Sequence, residues 1–370
     1  MTQTRLTPMA LAVALTLTIL GLAQPAALAT YAGTVEDEVS IQASQQSYDL
    51  ASKKFKLKGN VVVSYQDFKI YSQTADLSTD AAGAAELASF YDRPTAKRVK
   101  PSLGEDIVTG DILRIRLKDK IFEAEGSVNS NITTVAADPF TIRADVQQFD
   151  HINKLMSARG GVHVDYQGGT ATSSSAVMRI GPSGRAERVV FTGGAELNKE
   201  SSHIAGEKIT VMMDSGNLLA ESNVKTTVDL KGQKSGGPPK VLIYSDYQQY
   251  DKASDKMLAS GHVKILYGNY TATGPKATFD LTGGNLDKIF LTGRPTIIDG
   301  ARKITADKIT ITTNPKNFDA VGNVKTTFTQ SDPAAKPAAK PAAAPARPVT
   351  GASPAPAAAP GKPTDDPLNY

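Results

Sequence analysis

The chain has 370 residues, no Cys and no Trp, 41 basic against 37 acidic side chains, and a formal net charge of +4, of which Arg5 supplies one unit. The missing Cys excludes disulfide staples, thiolate metal sites and cysteine nucleophiles. So small a charge over so long a chain argues against nucleic acid or strong membrane adhesion as the partner.

In chain order, the first 29 residues read as an export signal. Arg5 gives a basic start, Met9 to Ala23 is an apolar run, and Ala27-Leu28-Ala29 makes a small-x-small cleavage site before Thr30. A run of about 15 residues is short of the ~20 that span a bilayer. The expectation is a cleaved signal and a soluble mature protein in the periplasm.

From residue 40 the chain repeats itself. Gly59, Gly160 and Gly261 recur at intervals of 101 residues, each after a Gln-x-aromatic-Asp step ending at Asp49, Asp150 and Asp251. The alternation following each Gly is the same: Val61, Val63, Tyr65; Val162, Val164, Tyr166; Val263, Ile265, Tyr267. A second series runs between these, with Phe122, Leu218 and Phe318 leading to Val128, Val224 and Val324. Each super-repeat therefore holds two half-units, each read as strands broken by a polar turn and ending near Gly.

Period-two alternation of Val, Ile, Thr and Tyr with polar residues predicts strands, and no convincing period of 3.6 appears. The expected fold is all-β, an elongated repeat β-jellyroll or solenoid of stacked antiparallel strands. One domain over 30–330 would hold three super-repeats near 41–140, 141–240 and 241–330. Residues 331–370, rich in Ala, Pro and Lys, are expected to be a disordered tail, either solubilising or a tether.

An array shows the same surface again and again, whereas catalysis needs a unique constellation. His151, His163, His203 and His262 occupy different phases of the repeat and lack metal-ligand spacing. Asp49, Asp150 and Asp251 sit in hairpin settings, where Asp accepts backbone N–H bonds. No nucleophile elbow, phosphate loop or dinucleotide fingerprint occurs. The reading is a non-enzyme with no catalytic residue, metal or cofactor.

What remains is the inner face of the array: Phe55, Leu57, Val61, Val63, Tyr65, Phe122, Val128, Val162, Val164, Tyr166, Leu218, Val224, Val263, Ile265, Tyr267, Phe318 and Val324. Two readings stay open for it, plain core packing or a partly filled apolar groove. Small inward residues such as Ala124, Ala158 and Ala259 favour the groove. Acyl chains entering one would gain about 0.8 kcal/mol per CH₂.

The recurring pattern runs from an Ala-Asp step through an aromatic-Asp turn to Ala-x-Gly-x-Val, as in Ala144-Asp145, Phe149-Asp150, and Ala158 to Val162. It recurs as Ala306-Asp307, Phe318, and Ala320 to Val324. Over residues 40–330 it resembles the OstA/LptA-like family of lipopolysaccharide-transport proteins. The resemblance implies an open β-taco that carries lipid A acyl chains in its groove. The implied partners are lipopolysaccharide or another acylated glycolipid, and jellyroll domains of an inner-membrane ABC-transporter assembly and an outer-membrane translocon. Independently of the resemblance, the unpaired terminal strands of such an array, near 39–43 and 325–329, predict head-to-tail association with itself or with other jellyroll components. The alternative is a structural or adhesive envelope β-solenoid with a fully packed interior. A polysaccharide lyase on a β-helix is disfavoured, because the repeat is far longer than one coil.

Overall fold

The computed structural model describes residues 29–31, 38–100, 104–133, 140–199, 202–230, 240–283 and 285–329. The expected signal segment up to residue 28 and the tail from residue 331 lie outside the described residues. Among the described residues the regular elements are 25 strands, joined by antiparallel pairing into one sheet. None of them forms a helix long and apolar enough to cross a membrane.

Twelve strands run through a bend at mid-length, among them Lys54–Tyr65, Leu155–Tyr166 and Lys256–Tyr267. Twelve shorter strands join end to end as six interrupted rungs, for example Val39–Gln42 followed by Gln45–Asp49. Each half of a rung pairs with the matching half of its neighbours. Val61 to Tyr65 pairs with Ser72 to Phe68 in the first wall, and Lys54 to Lys58 with Ser78 to Thr74 in the second. The sheet is thus two walls that share a line of bends, which we call the spine. Their far tips form the lip.

The bend is made by two consecutive residues of positive φ. Gly59-Asn60, Gly160-Gly161 and Gly261-His262 have φ of 74° and 48°, 79° and 53°, and 74° and 45°. Such a pair opposes a single residue on the adjoining strand, and the register shifts there without ending the ladder. The opposing residue explains the Ala-Asp step of the sequence. Asp145 lies against the Cα of Gly160 so closely that a Cβ built there would come within 2.7 Å of the Asp145 Cβ. Only Gly fits that position. Asp246 and Asp307 repeat the contact on Gly261 and Gly322. Asp307 also accepts a 2.8 Å bond from Asn323 Nδ2, and His262 Nδ1 lies 2.8 Å from Asp246.

The hairpin aspartates act in their turns. Asp49 accepts from the Ala51 N–H at 2.9 Å and the Ser52 hydroxyl at 2.8 Å, and Asp150 from the Asn153 N–H at 2.8 Å. The Ser52 hydroxyl and these backbone donors hold the Asp49 carboxyl below its ordinary value, and Asn153 does the same for Asp150. A lowered folded pKa means this support is complete above the ordinary carboxylate range. It is lost as pH falls through the depressed value.

Strand alternation aims every second residue between the walls. The buried interior divides into three clusters, spanning Val39 to Val128, Phe140 to Val224, and Val228 to Ile311. Burying each of these large aliphatic or aromatic side chains stabilises by roughly 1.5–3 kcal/mol, so the walls close on one another without a disulfide. The rungs at the two ends differ from the sequence expectation in one respect. Val39–Gln42 is not an edge, because Ala29–Tyr31 pairs with it. Lys325–Phe328 pairs only with Arg302–Thr305 and is the terminal strand of its wall among the described residues.

Candidate functional site

The inner face is built by alternate residues of every rung. Of the positions singled out in the sequence, Leu57, Val61, Val63, Tyr65, Val128, Val162, Val164, Val224, Val263, Ile265 and Tyr267 are buried between the walls. Phe55, Phe122, Tyr166, Leu218 and Phe318 are half-buried toward the tips of the second or first wall. Val324 differs: it is 51% exposed, where its counterparts Val61, Val128, Val162, Val224 and Val263 are about 1% exposed. The reason is positional. Its rung is the last described one, so no following rung covers its inner face.

Ties across the lip hold the wall tips together. Tyr65, at the tip of the first wall, donates its hydroxyl to the Leu117 carbonyl of the second wall at 3.1 Å. Tyr267 does the same to Thr313 at 2.9 Å. Removing either hydroxyl deletes one hydrogen bond to a buried carbonyl, so Tyr65→Phe and Tyr267→Phe should each cost about 1 kcal/mol. Tyr166→Phe should cost nothing measurable, since its hydroxyl makes no such bond among the described residues. Denaturant midpoints of the three variants check this.

Beside Tyr65 lies an aromatic and ionic cluster that sequence reading did not single out. Phe68 of the first wall stacks on Phe122 of the second, ring centres 4.0 Å apart. The Arg98 guanidinium sits 5.2 Å from the centres of both Phe68 and Phe149. Two of its nitrogens donate to one oxygen of Asp106, at 2.6 and 3.1 Å. The other oxygen of Asp106 accepts from the Thr133 backbone N–H at 2.9 Å and hydroxyl at 3.0 Å. Asp106 is only 3% exposed, so its charge is both desolvated and fully compensated. Beneath this cluster is an apolar cavity of about 70 Å³, lined among others by Phe68, Phe122, Phe149, Met156, Met178 and Ile180.

Two buried polar pairs interrupt the apolar interior near the spine. Ser130 donates to Gln147 at 2.5 Å, and Gln147 donates to the Ile142 carbonyl at 3.0 Å. Thr226 and Gln248 repeat the arrangement in the next super-repeat with the Ile243 carbonyl. Each amide satisfies a strand carbonyl near the bend, which makes these groups structural. His151 is half-buried among cations, and burial, then Lys154, pushes its imidazole below its ordinary value. No cluster of three or more metal-ligating side chains occurs among the described residues.

This arrangement can enclose apolar matter between two walls while presenting charge outside. Residues 40–217 match the family model described as LptA/(LptD N-terminal domain) LPS transport protein. No curated protein matches the chain. Among solved structures, it aligns with the crystal structure of LptH from Pseudomonas aeruginosa, titled the LptA homologous periplasmic component of the conserved lipopolysaccharide transport device. Identity is 13%, the TM-score is 0.31, and the alignment covers 35% of this chain and 94% of that one.

Proposed function

Since residues 40–217 belong to the LptA/(LptD N-terminal domain) family of LPS transport proteins, we propose that this protein is a non-enzymatic carrier of lipopolysaccharide, or of a similar acylated glycolipid, through the periplasm toward the outer membrane. The observation that carries the reading is the inner face itself. Apart from the two buried polar pairs it is apolar through all three clusters, from Val39 to Ile311, and it lies between walls whose tips are tied by the Tyr65 and Tyr267 hydroxyls. Acyl chains would replace water-free packing between Val63, Val164 and Ile265 of one wall and the facing residues of the other. Sugars would stay in water along the lip.

Volume sets a condition on this mechanism. The cavity of about 70 Å³ is well below the roughly 300–1,000 Å³ of ordinary ligand pockets. Loading therefore requires the walls to part, and each CH₂ taken up offsets that opening by about 0.8 kcal/mol. The same tight packing favours a second reading, a structural envelope solenoid with a permanently closed interior.

Partners fit at the open end. Among the described residues Lys325–Phe328 has one unpaired edge, and Val321, Val324 and Phe328 are 64%, 51% and 70% exposed there. An added strand from another jellyroll domain, or from a second copy, would pair with this edge and cover those side chains. Inner-membrane and outer-membrane components of a transport bridge are the partners of that kind we propose.

Protein purified from the periplasm should retain lipopolysaccharide detectable by mass spectrometry, and delipidated protein should recapture it. Recovery without lipid, and no recapture, would leave the closed solenoid.

A further inference from the structure

Among the described residues, the lip is tied in the first and third super-repeats and untied in the second. Tyr166 and Met213 occupy the places of the Tyr65–Leu117 and Tyr267–Thr313 ties. The Met213 N–H bonds Glu187 as those of Leu117 and Thr313 bond Glu86 and Asp287. Yet Tyr166 donates no bond across, and its ring leans on Phe140 of its own wall instead.

The aromatic closure is missing at the same place. Phe68 stacks on Phe122, and Tyr270 meets Phe318 edge-on at 5.6 Å. The equivalent positions in the middle super-repeat hold Gly169 and Leu218. Arg98 over Phe149 and Arg302 over Phe318, each paired to an Asp on the adjacent strand, have Lys199 and Ser202 as their register counterparts. Burial follows the ties. Ile115 and Ile311 are buried while their counterpart Val211 is half-exposed. Ala96 and Ile297 are buried while Leu197 is half-exposed.

We propose that the lip of the central super-repeat is a lateral port, through which the alkyl chain of an anionic amphiphile enters the interior. Charge commits the occupant. Arg185 on the second wall's tip and Lys199 on the first are exposed and make no ion pair among the described residues, so they supply positive charge for an anionic headgroup held at the lip while the chain goes in. The port is not needed for a closed solenoid, and in assigning it a cargo we rest on the transport reading.

The Cys-free chain allows a direct test. Val63→Cys, Val164→Cys and Ile265→Cys place single thiols at equivalent inner positions that are 2%, 4% and 1% exposed, so labelling rates report opening rather than static access. Maleimide should modify Val164→Cys faster than the other two by at least about tenfold, because local opening precedes reaction. Adding Gly169→Phe should return Val164→Cys to the slow rate, and dodecyl phosphate should protect it. Equal rates at the three sites, or no effect of Gly169→Phe, overturn the port. Fast labelling that dodecyl phosphate leaves unchanged overturns its role in amphiphile entry. Rates without amphiphile do not depend on the transport reading, whereas lipopolysaccharide retention tests that reading alone.

Discussion

Asp106→Ala should be the most damaging single substitution outside the aliphatic interior, lowering stability by about 3–5 kcal/mol. The carboxylate is 3% exposed and takes four bonds, two from Arg98 and two from Thr133. Removing it leaves Arg98, itself only 14% exposed at its side chain, beside two phenyl rings with only the more exposed Asp67, 3.9 Å away, as a counter-charge. The size of the effect comes from that stranded charge. Replacing both partners by apolar residues, as in Arg98→Met with Asp106→Leu, should therefore cost much less than Asp106→Ala alone. The exposed pair Arg143–Asp165, with side chains 57% and 38% accessible, is the contrast: Asp165→Ala should cost under about 1 kcal/mol. Urea midpoints of these variants decide the matter. A loss at Asp106 no larger than that at Asp165 would mean the lip cluster is solvated.

A methyl group at the spine should be nearly as costly. Gly160→Ala puts a Cβ on a residue at φ +79° and into the side chain of Asp145. Left-handed backbone costs about 1–2 kcal/mol for an L-residue and overpacking about 1–3 more, so a loss of roughly 2–5 kcal/mol is expected. Combining it with Asp145→Gly removes the overlap and leaves the backbone strain, so the double variant should recover part of the loss. The next residue is the control. Gly161 has φ +53° with open space around its Cβ, and the equivalent positions hold Asn60, His262 and Asn323. Gly161→Asn should shift the thermal midpoint little. If the two glycines respond alike, the stacking of Asp on Gly is not what fixes the bend.

The same two glycines show how far the sequence could be read. Alternation at Val162, Val164 and Tyr166 and the 101-residue period led to strands and to stacked copies, because both signals are local or self-referential. The Gly step, however, reads in sequence as the end of a strand. In the structure it is a bend inside Leu155–Tyr166, with hydrogen bonding continued on both sides. Two residues of positive φ carry the composition of a turn, so their role depends on neighbouring strands that sequence does not align. The lip was less legible still. Phe68, Arg98 and Phe122 meet only through pairings 24 to 54 positions apart. Comparing repeats hides the ion pair, since Arg98–Asp106 recurs with its charges in reverse order as Asp299–Arg302. Val324 escaped for a simpler reason: the pattern marks a face as apolar and says nothing about whether another rung lies over it.

The claim that apolar chains travel between the walls makes a phase-specific prediction along a single strand. Val164 and Ile265 point inward at 4% and 1% exposure, and their neighbours Asp165 and Lys264 point out. A photo-crosslinking residue placed at each of the four positions in living cells measures this directly. Labelling of lipopolysaccharide from 164 and 265, and none from 165 and 264, is the predicted result. Equal labelling from both phases, or none from any position, would contradict it.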